Sequence, residues 1–234
     1  GAETWTRVFT TTSIKDMEFH PTNPSIIYAS SMNFSGNNNI YKSTDNGDSW
    51  GLIHQISSSR RTEIAVTPDA PDNVYLLSCA THRGFLNFEL STNSGETFTE
   101  LANQSTVGNL LGWSDGSDLN KGQGQYDLAI AVNPQNKNEV YVGGVNIWKS
   151  VDGGRNWQLH SHWYGGFNRP EIHADQHQFA FNKTGDKLYV ANDGGVYRNL
   201  VGSDLWDELN NGMDITQFYR LGVSQSSPFD VISG

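Results

Sequence analysis

An eight-residue phrase recurs along the chain and constrains its architecture more than any other feature. It reads STDNGDSW at 43–50, STNSGETF at 91–98 and SVDGGRNW at 150–157. A fourth stretch, 197–206, keeps only the spacing between an aromatic before the turn and a tryptophan after it. The copies begin at 43, 91, 150 and 199, which are 48, 59 and 49 residues apart. A repeat of this period predicts an array of equivalent structural units.

Each copy is typical of a strand, a tight turn and a second strand. A short apolar pair precedes it, a glycine supplies the positive φ of the turn, and an aromatic follows. The Asp or Asn two residues before the glycine can accept hydrogen bonds from backbone amides of the turn. We therefore assign these side chains a structural role. They are Ser43, Asp45, Gly47, Trp50, Ser91, Asn93, Gly95, Phe98, Ser150, Asp152, Gly154 and Trp157.

The strands around the turns predict the fold class. Each unit contains about four short β-prone runs, and units of ~40–60 residues with four strands are propeller blades. We expect an all-β chain, a β-propeller of four-stranded antiparallel blades at 13–57, 60–103, 125–160 and 173–210. Residues 1–12 then form the trailing strand of a preceding blade, and 217–234 form the first strands of a further one. This arrangement favours a segment of a larger propeller over a closed ring of five blades.

The S-x-D-x-G-x-x-W phrase resembles the Asp-box of bacterial-neuraminidase-type repeats, which occur in sialidases, sortilin-type receptor propellers and xyloglucan-cleaving glycosidases. The stretches 124–134, 140–150, 173–177 and 192–197 resemble large secreted proteins that are common among Bacteroidetes. The resemblance implies a bacterial protein that is secreted or held at the cell surface, with the remaining blades on a longer chain. It implies a glycosidase only by repeat similarity, because the phrase accompanies the scaffold.

Composition restricts the partners. The formal charge is −10, with only 15 Lys and Arg, which excludes the clustered cations that bind nucleic acid. No apolar run approaches the ~20 residues of a membrane-spanning helix, so membrane insertion is not expected. Cys79, the one cysteine, lies in an apolar run and is expected to be a buried spectator. A sialidase would need several arginines around one substrate carboxylate, and the arginines here are scattered along the sequence.

His173, Asp175 and His177 form a candidate metal site. If they begin an inner strand, alternation places all three side chains on one face, where two imidazoles and a carboxylate could bind zinc. The alternative is that both histidines hydrogen-bond loops at the propeller mouth and that Asp175 orients them. The oxygen-rich loop 115–120 could similarly hold calcium, although its spacing differs from that of an EF-hand. An ordinary solvated loop is the alternative there.

Carboxylates provide the catalytic candidates. Asp127 opens a strand expected to line the propeller axis, as do Asp16 and Glu63 in neighbouring units. A pair such as Asp127 and Asp175 could provide the acid and base of a glycosidase at a suitable separation. The same carboxylates could instead accept hydrogen bonds from neighbouring backbone.

An aromatic and polar run between two blades provides the binding candidates, which are His162, Trp163, Tyr164, Phe167 and Arg169. Flat rings beside polar groups suit sugar rings or peptide segments. The loop could equally pack its aromatics on the blade beneath it.

We therefore expect a recognition domain that binds polysaccharide or glycoprotein at the propeller mouth. The alternatives are a glycoside hydrolase that uses axial carboxylates and a spacer within a larger secreted protein. A broad aromatic platform without a close carboxylate pair in a cleft would favour binding over hydrolysis.

Overall fold

The computed structural model describes residues 4, 6–9 and 13–213, together with the backbone of 221–223 and 231–233. It contains four four-stranded antiparallel sheets and one short hairpin, which confirms the predicted fold class. The first sheet comprises β1 (Ile14–Phe19), β2 (Ile27–Ser31), β3 (Asn37–Ser43) and β4 (Gly51–Ser57). The second comprises β5 (Ser59–Thr67), β6 (Ala70–Ala80), β7 (Phe85–Ser91) and β8 (Thr99–Asn103).

The third sheet comprises β9 (Ala129–Asn133), β10 (Asn136–Gly143), β11 (Ile147–Ser150) and β12 (Gln158–Ser161). The fourth comprises β13 (Gln176–Phe181), β14 (Lys187–Asn192), β15 (Gly195–Leu200) and β16 (Trp206–Glu208). In every sheet the strands pair in sequence order, and the first strands β1, β5, β9 and β13 contact one another in succession. The sheets are therefore propeller blades, with these first strands lining the axis.

The core lies between successive blades. Tyr75 and Phe88 of the second blade pack with Val142 and Trp148 of the third. The other two blade interfaces are built in the same way from buried aliphatic and aromatic residues. The inner middle strands are accordingly buried along most of their length, as strands covered on both faces must be.

The repeated phrase forms a tight turn between the third and fourth strands of the first three blades; we call these the repeat turns. In the third, Asp152 Oδ1 accepts hydrogen bonds from Asn156 N at 2.9 Å and from Ser150 Oγ at 2.8 Å. Trp157 Nε1 donates to Gly154 O at 3.0 Å, which folds the indole over the turn. In the fourth blade, Asn199 Nδ2 bridges the corresponding chain segment by donating to two carbonyl oxygens, those of residues 203 and 205.

The two terminal segments compare differently with the sequence expectation: 6–9 departs from it, and the short hairpin near the other end agrees with it. Residues 6–9 form no strand; instead the Phe9 ring packs edge-on against Tyr41, with ring centroids 4.6 Å apart. The remainder of the predicted trailing strand at 1–12 lies outside the described residues. At the other end, β17 (Leu221–Val223) pairs antiparallel with β18 (Val231–Ser233), and the rest of 214–234 lies outside the described residues.

The long connection between the second and third blades begins with one helical turn, α1 (Gln104–Val107), which is capped by Asn103. Among the described residues, no helix is long and apolar enough to cross a membrane. Cys79 is buried as a free thiol, and burial raises its pKa to about 12.

Candidate functional site

The antiparallel pairing of the strands divides the propeller into two faces. The start of β9, the end of β10 and the start of β11 lie side by side, since Gly143 pairs with both Ala129 and Ile147. The loops at this edge form the mouth face, which includes the connections 104–128 and 162–175. The repeat turns lie at the opposite edge, on what we call the repeat face. All of the predicted catalytic, binding and metal residues therefore lie on the mouth face, and the repeat turns do not.

Asp127 and Asp175 are brought together around one amide. Gln123 Nε2 donates to Asp127 Oδ2 at 3.2 Å and also to Asp175 Oδ1. Asp127 is fully buried, and its Oδ1 has no hydrogen-bond partner among the described residues. Burial, followed by the charge of Asp175, raises the pKa of Asp127 to about 7. Since Gln123 lies between the two carboxylates and Asp127 is inaccessible, this pair is not open to a substrate.

Asp127 is not in an axial strand, because β9 begins two residues later, at Ala129. Arg61 fixes the segment before that strand by donating from its guanidinium to Tyr126 O at 2.7 Å and to Leu128 O at 3.2 Å. The same guanidinium pairs with Glu63 Oε1 at 2.7 Å. Asp16 and Glu63 do lie in the axial strands β1 and β5, as expected. Burial raises the pKa of Glu63 to about 8, with the charge of Asp16 adding to the effect.

Contrary to the expectation from sequence, His173, Asp175 and His177 do not lie on one face of a strand. β13 begins at Gln176, and Asp175 has a left-handed φ of 67°, so alternation does not extend back through these residues. His177 Nε2 lies 2.6 Å from Asp193 Oδ1, whereas Asp175 is bound to the amide of Gln123. Within the described residues, no group of three or more His, Cys, Asp or Glu side chains is arranged to hold a metal ion.

The loop 115–120 uses its carboxylates for its own turns. Asp115 Oδ1 accepts from Ser117 Oγ at 2.7 Å, and Asp118 Oδ2 accepts from Trp113 N at 2.7 Å. These hydrogen bonds are those of a structured surface loop, which was the alternative to a calcium site.

Four exposed aromatic residues belong to the two loops that meet at the buried His162 on the mouth face; we call them the aromatic platform. They are Trp113, Trp163, Tyr164 and Phe167, with exposed fractions of 48%, 42%, 55% and 50%. The His162 ring contacts those of Tyr164 and Phe167 edge-on, with centroids 4.2 and 5.1 Å away. The Trp163 and Tyr164 rings are nearly perpendicular, with centroids 4.7 Å apart.

The hydrogen bonds of His162 hold the platform in place. Its Nδ1 accepts from the backbone amides of Tyr164 and Gly166, at 3.4 and 3.2 Å. The proton is therefore on Nε2, which donates to Trp113 O at 3.1 Å. Burial lowers the pKa of His162, which keeps the imidazole neutral. Trp163 Nε1 also donates to Trp113 O at 3.1 Å, so two distant loops are joined at one carbonyl.

A pocket of about 260 Å³ adjoins the platform at Trp163. Its remaining walls are Glu171, Ile172, His173, Tyr197 and Glu208. Tyr197 lines the pocket together with Glu171 and Glu208, and burial, followed by the charges of Glu208 and Glu171, raises the pKa of its phenol. An indole wall opposite carboxylates and a phenol offers an apolar face together with hydrogen-bond acceptors and a donor. Arg169, which was a binding candidate, does not line this pocket.

Sequence reasoning missed three residues of this site, namely Trp113, Tyr197 and Glu208. Trp113 is 50 residues from Trp163 along the chain, and Tyr197 and Glu208 belong to β15 and β16. The signal that could have found these residues is their position near the mouth-facing ends of the strands. That position can be worked out once the pairing of the strands is known. The aromatic run 162–167, by contrast, was identified as a binding candidate from its composition alone.

No family model and no curated protein matches the sequence. Among solved structures, the chain is similar to the GH74 enzyme of Niastella koreensis, with a TM-score of 0.64 and 16% identity. That match covers 94% of this chain and 33% of the enzyme. YCF48 bound to D1 peptide gives a TM-score of 0.56 at 13% identity, over 92% of this chain and 60% of that one. A chain of the nidogen/laminin complex gives 0.54 at 11% identity, over 82% and 62%.

The chain therefore spans between a third and two thirds of the length of these neighbours. At such identities the similarity establishes the β-propeller fold, and the fold alone. The neighbours include an enzyme, a peptide-bound protein and a member of a protein complex, so the fold is shared by propellers of different activities.

Proposed function

We propose that the chain is a recognition module that binds carbohydrate, free or on a glycoprotein, at the mouth face. The observation that carries the proposal is the aromatic platform with its adjoining pocket. The Trp163 ring is held by its hydrogen bond to Trp113 O, and the Tyr164 and Phe167 rings pack edge-on against His162, so these three rings lose little side-chain freedom on binding. Exposed aromatic faces bind the apolar faces of sugar rings, and adjacent acceptors bind hydroxyl groups.

The pocket beside Trp163 supplies those acceptors. Glu171 and Glu208 flank Tyr197, and His173 completes the wall. A volume of about 260 Å³ accommodates roughly one sugar ring. In this proposal Trp163 stacks on the ring while the carboxylates accept hydrogen bonds from its hydroxyls. We also propose that the protein acts outside the cell, because polymers of this kind are encountered there.

Trp163→Ala tests the proposal. We expect retention of mixed neutral polysaccharides to be weakened by about tenfold, because the stacking surface is lost. Phe34→Ala is the matched control, since Phe34 is 65% exposed on the mouth-side loop of the first blade, away from the platform. The measurement is affinity electrophoresis with each polysaccharide, together with calorimetry of the glycans that bind. Equal losses in the two variants, or no retention of any glycan by the unaltered chain, would refute the proposal.

A glycoside hydrolase is the second candidate function, and the raised pKa of Asp127 favours it. A carboxyl group with a pKa of about 7 could act as a general acid near neutrality, with Asp175 as its partner. That role requires Gln123 to move away and expose Asp127. Mass spectrometry of the incubated glycans distinguishes the two functions. Shortened products that disappear in Asp127→Asn would establish hydrolysis, whereas retention of intact glycans supports recognition.

A further inference from the structure

A second concavity lies on the repeat face, between the second and third blades. It has a volume of about 390 Å³, and a neighbouring concavity of about 160 Å³ shares Leu90, Thr92 and Arg155 with it. Because the two concavities share these three lining residues, we treat them as adjoining parts of one site, which we call the repeat-face groove. It lies at the edge of the propeller opposite the aromatic platform, so it is independent of the mouth-face proposal.

Two cations face this groove. Lys137 and Arg155 both line it, and among the described residues neither has a carboxylate within ion-pair distance. The one acidic residue in the lining, Asp72, accepts a hydrogen bond from Ser94 Oγ at 2.6 Å. The lining of the groove therefore holds two cations and one carboxylate, in a chain whose formal charge is −10. Unpaired cations inside a concavity favour an anionic ligand.

The second blade holds Lys137 in position through its backbone. Lys137 N donates to Asp69 Oδ2 at 2.7 Å, and Lys137 O accepts from the buried Tyr75 hydroxyl at 3.0 Å. In the third repeat turn, an Arg155 guanidinium nitrogen donates to Asp152 O at 2.9 Å. Both cations belong to the third blade, Lys137 at the start of β10 and Arg155 in the repeat turn, and the backbone at each residue is held by hydrogen bonds.

The other lining groups indicate the class of anion. The polar groups are mainly hydroxyls and amides, and Leu90 and Leu101 provide apolar surface. The hydroxyls belong to Thr92, Thr97 and Thr99, and the amides to Asn73 and Asn138. Such groups match a ligand that is dense in hydroxyls and has apolar C–H faces.

We propose that the repeat-face groove binds an acidic saccharide whose carboxylates pair with Lys137 and Arg155. The sugar hydroxyls hydrogen-bond the threonine and asparagine side chains, and its C–H faces contact Leu90 and Leu101. The ligand class is a uronate-containing oligosaccharide. The protein would then engage neutral sugars at the mouth face and acidic sugars at the repeat face.

Calorimetry with a short oligogalacturonate tests the proposal, and its fully methyl-esterified form serves as the neutral control. We expect only the acid form to bind, and to bind more weakly at high salt because the contact is ionic. Lys137→Met and Arg155→Met should each weaken binding by about tenfold, since each removes a charged hydrogen bond. Lys183→Met removes the same charge from the turn after β13 on this face, outside the groove, and should bind as the unaltered chain does.

The remaining outcomes would overturn the proposal. Equal binding of the ester would show that charge does not select the ligand. Binding of a short polyglutamate in preference to the oligogalacturonate would assign the groove to acidic peptide. An equal loss of affinity in Lys183→Met would show that binding depends only on the net charge of the protein. Because Trp163→Ala lies on the other face and should leave uronate binding unchanged, failure here is distinguishable from failure of the mouth-face proposal.

Discussion

At the scale of single residues, each repeat turn depends on one oxygen atom. Asp152 Oδ1 accepts from Ser150 Oγ, Arg155 N and Asn156 N. In the second turn, Asn93 Oδ1 accepts from Ser91 Oγ and Thr97 N, at 2.8 and 3.0 Å. The amide thus takes the place of the carboxylate. A negative charge is not required at this position, and the side chain is occupied by the turn rather than available for catalysis.

This equivalence leads to a prediction. Asp152→Ala should lower the free energy of unfolding by about 1–3 kcal/mol, because Ser150 Oγ and the amides of Arg155 and Asn156 lose their common acceptor. Asp152→Asn should lower it by less than half as much, as the oxygen is retained. Urea denaturation measures both changes. Asp48→Ala, which alters an exposed residue of the first turn, is the control for removing an acidic side chain. Equal losses in Asp152→Ala and Asp152→Asn would contradict the role given to the single oxygen.

At the scale of elements, the repeat turns differ in what they pack against. Gly47 and Gly154 occupy the same position of the phrase and have similar φ values of 91° and 97°. A Cβ on Gly47 would meet Ile27 at 3.6 Å, an ordinary contact. A Cβ on Gly154 would lie 2.1 Å from the ring of Phe88, in β7 of the preceding blade. The third turn is therefore part of a blade interface, and the glycine is needed there for space as well as for conformation.

Alanine at the two glycines should separate these effects. Gly47→Ala adds only backbone strain, and we expect it to cost about 1 kcal/mol of unfolding free energy. Gly154→Ala adds overlap with Phe88 in a packed interface, and we expect a loss about 2 kcal/mol larger. Thermal and urea unfolding measure the difference. Gly154→Ala combined with Phe88→Leu should recover part of that loss if the overlap causes it. If the double variant recovers no stability, the loss in Gly154→Ala is due to backbone strain rather than to overlap with Phe88.

Local patterns were sufficient to predict the elements, but not the connections between them. The turns were predictable because the glycine, the acceptor and the following aromatic are close in sequence, and strand alternation placed Asp16 and Glu63 on the axis. Asp175 could not be predicted in the same way. A left-handed φ at a residue other than glycine leaves no signal in the pattern, and it ends the alternation just before β13.

The site itself depends on long-range packing. Trp113 O lies within hydrogen-bond distance of Trp163 Nε1 because Asn146 Nδ2 holds the loop that contains Trp113. It does so by donating to Gly112 O and Ser114 O, at 3.3 and 3.2 Å. Asn146 Oδ1 accepts from Trp163 N at 3.0 Å, so one asparagine joins both loops. Nothing in the sequence near Trp113 indicates this partner. The candidate residues within one loop were therefore predictable, whereas the platform formed by two loops was not.

At the scale of the whole molecule, carboxylates are divided between two environments with opposite effects on stability. Near the axis and mouth, burial raises the pKa of Glu18, Asp127 and Glu63 to about 7, 7 and 8. In the repeat turns, hydrogen bonds lower the pKa of Asp45 to about 2, and that of Asp152 is lowered as well. The first group therefore favours folding when protonated, and the second group favours it when ionised.

The direction of the pH dependence follows from these two groups. Carboxyls with a raised pKa bind protons more tightly in the folded protein, so their stabilising contribution is present at low pH and is lost as pH rises through about 7 or 8. The turn carboxylates contribute stability above their ordinary pKa of 3.8, and this is lost as pH falls towards about 2. We therefore expect the free energy of unfolding to be highest near about pH 4 and to fall by about 1–3 kcal/mol by about pH 8.

Urea denaturation across this range measures the profile, and one substitution tests its cause. Asp127→Asn removes the most buried of these carboxyls while keeping an oxygen that can accept from Gln123. The variant should be more stable than the unaltered chain near about pH 8 and little different near about pH 4, which flattens the profile. Asp48→Asn should leave the profile unchanged, since Asp48 is exposed in a turn. A profile that rises between these two pH values would mean that the buried carboxyls are ionised at little cost, and the raised pKa of Asp127 would then be wrong.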